Sequence, residues 1–246
     1  MIDPSLDYSG QTVCIIGGSS GIGNASAQAF RARGAEVHVT GTRSSEADYN
    51  ADEGSDLAGL TYHQLDAGDD AAIIALRQKF TRLDILVCSQ GMVMYKRAEF
   101  EPENFAKVVQ VNLNSLMTCA GQFYDLLKET KGSLIIISST AAFHATVGNP
   151  GYNASKAGAA GLTRTLGKAW APDGIRVNGV APGLIATKMT KVTTDNPKRR
   201  EATIRSIPLG RIGNTDDMAG LVLFLASPLA GYIVGQTIIA DGGLLL

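Results

Sequence analysis

The sequence predicts an α/β fold: a single doubly wound parallel sheet with helices on both faces. Three observations predict it. Short β-branched runs alternate with longer helical stretches along the whole chain. Those runs are continuously apolar rather than alternating, as expected of strands buried on both sides. The first of them runs straight into a glycine-rich turn that opens a helix. A length of 246 residues, 45% hydrophobic and 18% charged, suits one such domain. No repeat or linker divides it, so residues 1–246 read as one unit.

Residues 12–16 form the first strand, and a helix over 21–33 is closed by Gly34. Strands follow at 36–40 and 60–65, then a helix over 69–80 and a strand at 83–87. Residues 100–130 are mostly helical. A strand at 134–137, a helix over 152–170 and a strand at 175–180 come next. A helix over 218–226 and a strand at 236–240 complete the series. Residues 184–208 break the alternation, being long, polar and irregular, with Thr190, Thr193, Thr194, Asp195, Asn196 and Pro197. A long loop in a compact domain is often a lid.

Bulk properties exclude several function classes. The net charge of −1 offers no global attraction for nucleic acid or an anionic membrane. The basic cluster Lys198-Arg199-Arg200 is followed by Glu201 and reads as a solvated face. No apolar run is long enough to span a bilayer. The start, with Asp3 and Asp7, shows no signal peptide. Cys14, Cys88 and Cys119 are far apart with no CxxC pair, so neither a disulfide nor a metal site is expected. A reducing, cytoplasmic setting is the expectation.

The first strand ends in Gly17-Gly18-Ser19-Ser20-Gly21-Ile22-Gly23. A glycine-rich turn between strand and helix lets backbone N–H groups approach a pyrophosphate, and the helix N-terminus favours anions. Tight turns also need glycine, but the position at the first strand and first helix is the one a dinucleotide site requires. Tyr152 and Lys156 lie four apart on a helix and therefore on one face. A cation near a phenol favours the phenolate, which tunes tyrosine towards proton transfer near neutral pH. Ser139 follows an apolar strand, at the carboxyl side where doubly wound sheets bind ligands. Asn112 sits mid-helix among apolar neighbours and needs polar partners.

Gly17-x-x-x-Gly21-x-Gly23 with Asn112, Ser139, Tyr152 and Lys156 resembles the short-chain dehydrogenase/reductase family in residue type, order and spacing. The resemblance spans residues 10–243, taking in Leu65-Asp66-Ala67, the NGVAPG run at 178–183, and Asp241-Gly242-Gly243. It implies a Rossmann-type NAD(P)-binding domain that moves a hydride between the nicotinamide and a carbonyl or secondary alcohol. Tyr152 would be the acid/base, Ser139 would hold the substrate oxygen, and Asn112 would position a water. Lys156 would bind the nicotinamide ribose and lower the tyrosine pKa. Gly17, Ser19, Ser20, Gly21, Ile22 and Gly23 would cradle the pyrophosphate, Asp66 and Ala67 would meet the adenine, and Gly91 would approach the ribose. Pro182, Gly183, Ile185 and Thr187 would take the nicotinamide end.

Where an acid would select NAD, the second strand ends in Gly41-Thr42-Arg43, and Arg43 suits a 2′-phosphate. NADP is therefore preferred, with NAD as the second option. A carbonyl reductase resembling 3-oxoacyl reductases, assembled as a homotetramer, is the implied form. Ala141, His144, Val147, Asn149, Met189 and Val192, with Met92 and Met94, are the expected pocket lining. Two departures stand out: Ile16 replaces a threonine before the first glycine, and Cys88-Ser89-Gln90-Gly91 replaces the usual N-N-A-G. Two other readings remain: a non-catalytic dinucleotide sensor, and a redox-neutral epimerase or dehydratase on the same fold.

Overall fold

The computed structural model describes residues 4–50 and 54–246; Asp3, read above as part of a leaderless start, lies outside them. Seven strands form one parallel sheet: β1 (Thr12–Ile16), β2 (Glu36–Gly41), β3 (Thr61–Gln64), β4 (Ile85–Cys88), β5 (Ser133–Ile137), β6 (Arg176–Pro182) and β7 (Thr237–Ala240). Their order is β3-β2-β1-β4-β5-β6-β7. The winding reverses between β1 and β4, so a crevice opens at their carboxyl ends. Cys88 pairs with Ile16 on one side and Ile136 on the other.

The apolar runs bury both faces because side chains alternate along a strand. Cys14, Ile16, Leu86, Cys88, Leu134 and Ile136 enter one core. Val13, Ile15, Ile85, Val87, Ile135 and Ile137 enter the other. Helices α2 (Asp70–Arg77), α4 (Ser115–Thr130) and α5 (Pro150–Trp170) cover the first core. Helices α1 (Gly21–Arg31) and α8 (Thr215–Ala226) pack together over the second. The three thiols are buried in the first core, and Cys88 contacts Cys119.

Residues 100–130 are mostly helical, as expected, but in pieces: α3 (Pro102–Val109) passes through a wider π turn, Gln110–Asn114, into α4. π turns are frequent at functional sites, and this one carries Asn112. Residues 184–208 are not irregular. After a short turn at Lys188–Thr190 they form α6 (Lys191–Thr194) and α7 (Pro197–Ser206). The polar residues that suggested a loop are helix-end signals: Asn196 accepts from Arg199 N, and Pro197 takes the first helical position. Helix α5 likewise starts at Pro150, two residues before its expected start.

Candidate active site

A cleft of about 450 Å³ opens at the carboxyl ends of β1, β2, β4, β5 and β6. The glycine-rich turn forms its floor. Gly17 and Gly21 adopt φ of +76° and +57°, which favour glycine. A Cβ at Gly17 would lie 2.8 Å from Gln90 N, and one at Gly23 would run into the Gly17 carbonyl. Ser20, the residue preceding α1, makes no side-chain cap, and no acid occupies the first turn. That helix end is suited to an anion. The hydroxyl lost with Ile16 is supplied from β2, where Thr40 Oγ1 accepts from Gly17 N at 3.0 Å. Asn24, 5% exposed, ties the turn to the β2–β3 connection through Gly18 O and Asp56 O.

Along the cleft stand Gly17, Ser19, Ser20, Gly21 and Ile22 from the turn, with Thr42, Asp66, Ala67 and Gly91. Pro182, Gly183, Ile185 and Thr187 line it too, as do Ser139, Tyr152 and Lys156. Three expected residues stand back from it. Gly23 is buried and lets the turn close on itself. The Arg43 guanidinium bonds the Asp48 carbonyl and stacks 4.7 Å from the Tyr49 ring centroid. Asn112 is fully buried, accepting from Met92 N at 2.8 Å and donating to Met92 O at 2.9 Å and Ser155 Oγ at 3.2 Å. Of the expected substrate lining, Met92 and Met189 face the cleft. His144 and Val147 are exposed, and Asn149 is spent on Met94 O and Glu99.

Ser139 follows β5 and caps a short turn, its Oγ accepting from Ala141 N at 3.1 Å. Its acceptor side is thus engaged, and its proton faces the Tyr152 phenol, with which it hydrogen-bonds. Lys156, 4% exposed, donates to the Ile137 carbonyl at 2.9 Å, and its Nζ lies 5.7 Å from the Tyr152 ring centroid. Burial pushes it down from 10.5 to about 8. The expected lowering of the tyrosine by Lys156 is not what the geometry gives. Burial raises the Tyr152 phenol, the Ser139 hydrogen bond opposes the rise, and Tyr95 and Glu99 add to it. The reason is direction: the ammonium is aimed at a carbonyl, and the buried phenolate has lost its water.

The departure at Cys88-Ser89-Gln90 has a substitute brace. Gln90 Nε2 donates to Ser115 Oγ at 2.9 Å, and that hydroxyl donates to Val111 O at 2.6 Å, next to Asn112. The backbone stays in register, with Ser89 N donating to Ile16 O at 2.9 Å. Glu99, Tyr95 and Asn24 are not marked out in the sequence, and Gln90 is marked there only as a departure, not as a brace. An acid in an acidic stretch and a lone amide carry no signal of burial.

A family model described as enoyl-(acyl carrier protein) reductase matches residues 17–245. The chain is 37% identical over 246 residues to the 2-dehydro-3-deoxy-D-gluconate 5-dehydrogenase of Bacillus subtilis, covering 97% of this chain and 96% of that one. It is 35% identical to the 3-oxoacyl-[acyl-carrier-protein] reductase of Chlamydia pneumoniae, covering 96% and 97%. The RhlG protein of Pseudomonas aeruginosa, solved as an active-site complex with NADP, superposes with a TM-score of 0.91 at 31% identity over the full length of both chains. A gluconate 5-dehydrogenase from Burkholderia cenocepacia, solved with NADP and tartrate, gives 0.88 at 27% identity, covering 98% and 97%.

Proposed function

The chain belongs to the short-chain dehydrogenase/reductase family of NAD(P)-dependent oxidoreductases, and we propose that its cleft takes NADP and reduces a carbonyl, or oxidises a secondary alcohol, with Tyr152 as the proton donor or acceptor. The observation that carries this reading is the meeting of Ser139, Tyr152 and Lys156 in a cleft whose floor is an uncapped, glycine-lined helix start. The residues fit a dinucleotide: the helix end suits a pyrophosphate, and Asp66 and Thr187 both line the cleft. The nicotinamide supplies the hydride chemistry when bound. Tyr152 protonates the carbonyl oxygen, Ser139 turns its proton from the phenol to hold that oxygen, and Lys156 reaches the ribose side. Asn112 fixes the Met92 loop and the first turns of α5 through Ser155, whose hydroxyl donates to Tyr152 O at 2.8 Å.

Two features support NADP over NAD. No acid stands at the end of β2, and Arg43 is the one cation in the run Gly41-Thr42-Arg43. Release of its guanidinium from Tyr49 would make it available to a 2′-phosphate. Residues 188–190 line the cleft, so the helical segment beyond β6 serves as the lid. The substrate class is a polar carbonyl compound such as a keto sugar acid or a 3-oxoacyl group, after the two relatives. A homotetramer is supported by the half-exposed apolar Met117 on α4 and Ile239 on β7. Three buried free thiols support a reducing cytoplasm. Among the described residues no helix is long and apolar enough to cross a membrane. The test is Tyr152→Phe. Its NADPH oxidation against a panel of keto acids and keto esters should fall to background while NADPH still binds. Turnover near wild type would remove tyrosine from the scheme.

A further inference from the structure

Glu99 lies in the β4–α3 connection and is 1% exposed. Both of its oxygens are used. Oε1 accepts from Met94 N at 2.9 Å and Asn149 Nδ2 at 3.2 Å, and Oε2 accepts from Tyr152 N at 2.8 Å. Tyr152 is in the first turn of α5, and Asn149, the residue at that helix's N-cap position, makes no cap of its own. Its side chain turns instead to Met94 O and Glu99. The carboxylate of a distant segment therefore performs the capping, at the end of the helix dipole that favours an anion. Gly151 makes room for it, since a Cβ there would stand 3.3 Å from Glu99 Oε2.

The segment that Glu99 anchors is strained. Lys96 and Arg97 adopt φ of 58° and 63°, two successive non-glycine residues in the left-handed region. Just before them, Tyr95 Oη donates to Met189 O at 2.8 Å, joining this loop to the lid across the mouth of the cleft. Met92, from the same segment, lines the cleft.

We propose that Glu99 is a positioning residue for Tyr152, capping α5 from the substrate-side loop so that the phenol and that strained loop are held in one fixed relation. This rests on the proposed role of Tyr152 as acid/base. Its charge also bears on the phenol. Around Tyr152 stand Glu99 and Tyr95 from the loop, Ser139 after β5 and Lys156 on α5 itself, while Lys188 of the lid lines the same cleft. Of these, Tyr95 and Glu99 raise the phenol and Ser139 lowers it. Neutralising Glu99 removes a negative charge near the phenolate, so the tyrosine should lose its proton at lower pH.

Glu99→Gln and Glu99→Asp separate charge from reach. In E99Q, kcat for carbonyl reduction should fall about tenfold or more, the scale of a displaced catalytic group. The alkaline limb of its pH profile should move to lower pH, and NADPH affinity should stay within about twofold. Tyrosinate absorbance should show the same displacement in the protein alone, read against a Tyr152→Phe reference. In E99D the charge is kept but the reach is lost, so kcat should fall with the pH limb near its wild-type place. Wild-type kcat and an unmoved limb in E99Q would overturn the proposal. So would losses matched by equal losses in NADPH affinity and melting temperature. If E99Q does not fold, a wild-type kcat in E99D overturns it instead. A wild-type protein without hydride transfer, or an active Tyr152→Phe, would sink the catalytic reading, whereas an active wild type, a dead Tyr152→Phe and an unaltered E99Q would sink this one alone.

Discussion

Lys156 should lower the stability of the protein that depends on it. The residue is 4% exposed, and its ammonium holds the Ile137 carbonyl at 2.9 Å. Burial brings it from 10.5 down to about 8, so the folded protein binds this proton more weakly than the unfolded chain. The resulting cost is present in full below about pH 8 and fades as the pH rises towards 10.5, where the unfolded lysine also loses its proton. A fall of that size is worth about 3 kcal/mol at neutral pH, at 1.36 kcal/mol per pH unit. Lys156→Met keeps the stem and removes the charge. It also leaves the Ile137 carbonyl without its donor, a loss of about 1–2 kcal/mol. The balance is a gain of about 1–2 kcal/mol at pH 7. For a chain of this length that is about 3–6 °C in melting temperature. Turnover should vanish. Urea unfolding at pH 7 and pH 9.5 checks the argument, with the advantage of K156M shrinking at the higher pH. A K156M protein less stable than wild type at pH 7 would show that the buried ammonium is a net support, and the reasoning would be refuted.

Asn112→Ala removes three hydrogen bonds from a fully buried position and strands the peptide groups of Met92, so it should cost about 2–4 kcal/mol in urea unfolding; an unchanged midpoint would mean that Met92 finds other partners. His63 is pushed down to about 4, by burial first and then by Lys79 and His38. The unfolded chain binds this proton near 6.5 and the folded one resists it, so stability is whole above 6.5 and is lost as the pH falls towards 4. His63→Asn should therefore flatten the loss of melting temperature between pH 7 and pH 5, and an identical slope would assign the loss to other groups. Arg43→Ala should raise the KM for NADPH about tenfold while leaving that for NADH unchanged, since only a 2′-phosphate calls for the guanidinium; equal effects on both would make Arg43 a structural residue of the Tyr49 loop.

What the sequence made legible was whatever is encoded locally. Tyr152 and Lys156 share a face because helix geometry alone decides it. The glycine turn is readable because glycine alone adopts the φ values of Gly17 and Gly21 without strain, and because a Cβ at Gly17 would press on Gln90. The strands are readable because burial on both faces leaves no polar residue in runs such as 134–137. The unread features depend on distant parts of the chain. Glu99 lies in a stretch that also carries Glu101 and Glu103, and nothing local distinguishes the buried carboxylate from its neighbours. The polar residues at 187–197 look like a loop because caps and loops use the same side chains. The tyrosine's direction of shift was misread for a related reason. Spacing places a lysine near a phenol, but the field at the phenol depends on where the ammonium points and on which carboxylate another segment brings. A catalytic set can thus be found from spacing, while the pH at which it works is set by partners such as Glu99, which lies more than fifty residues away in sequence.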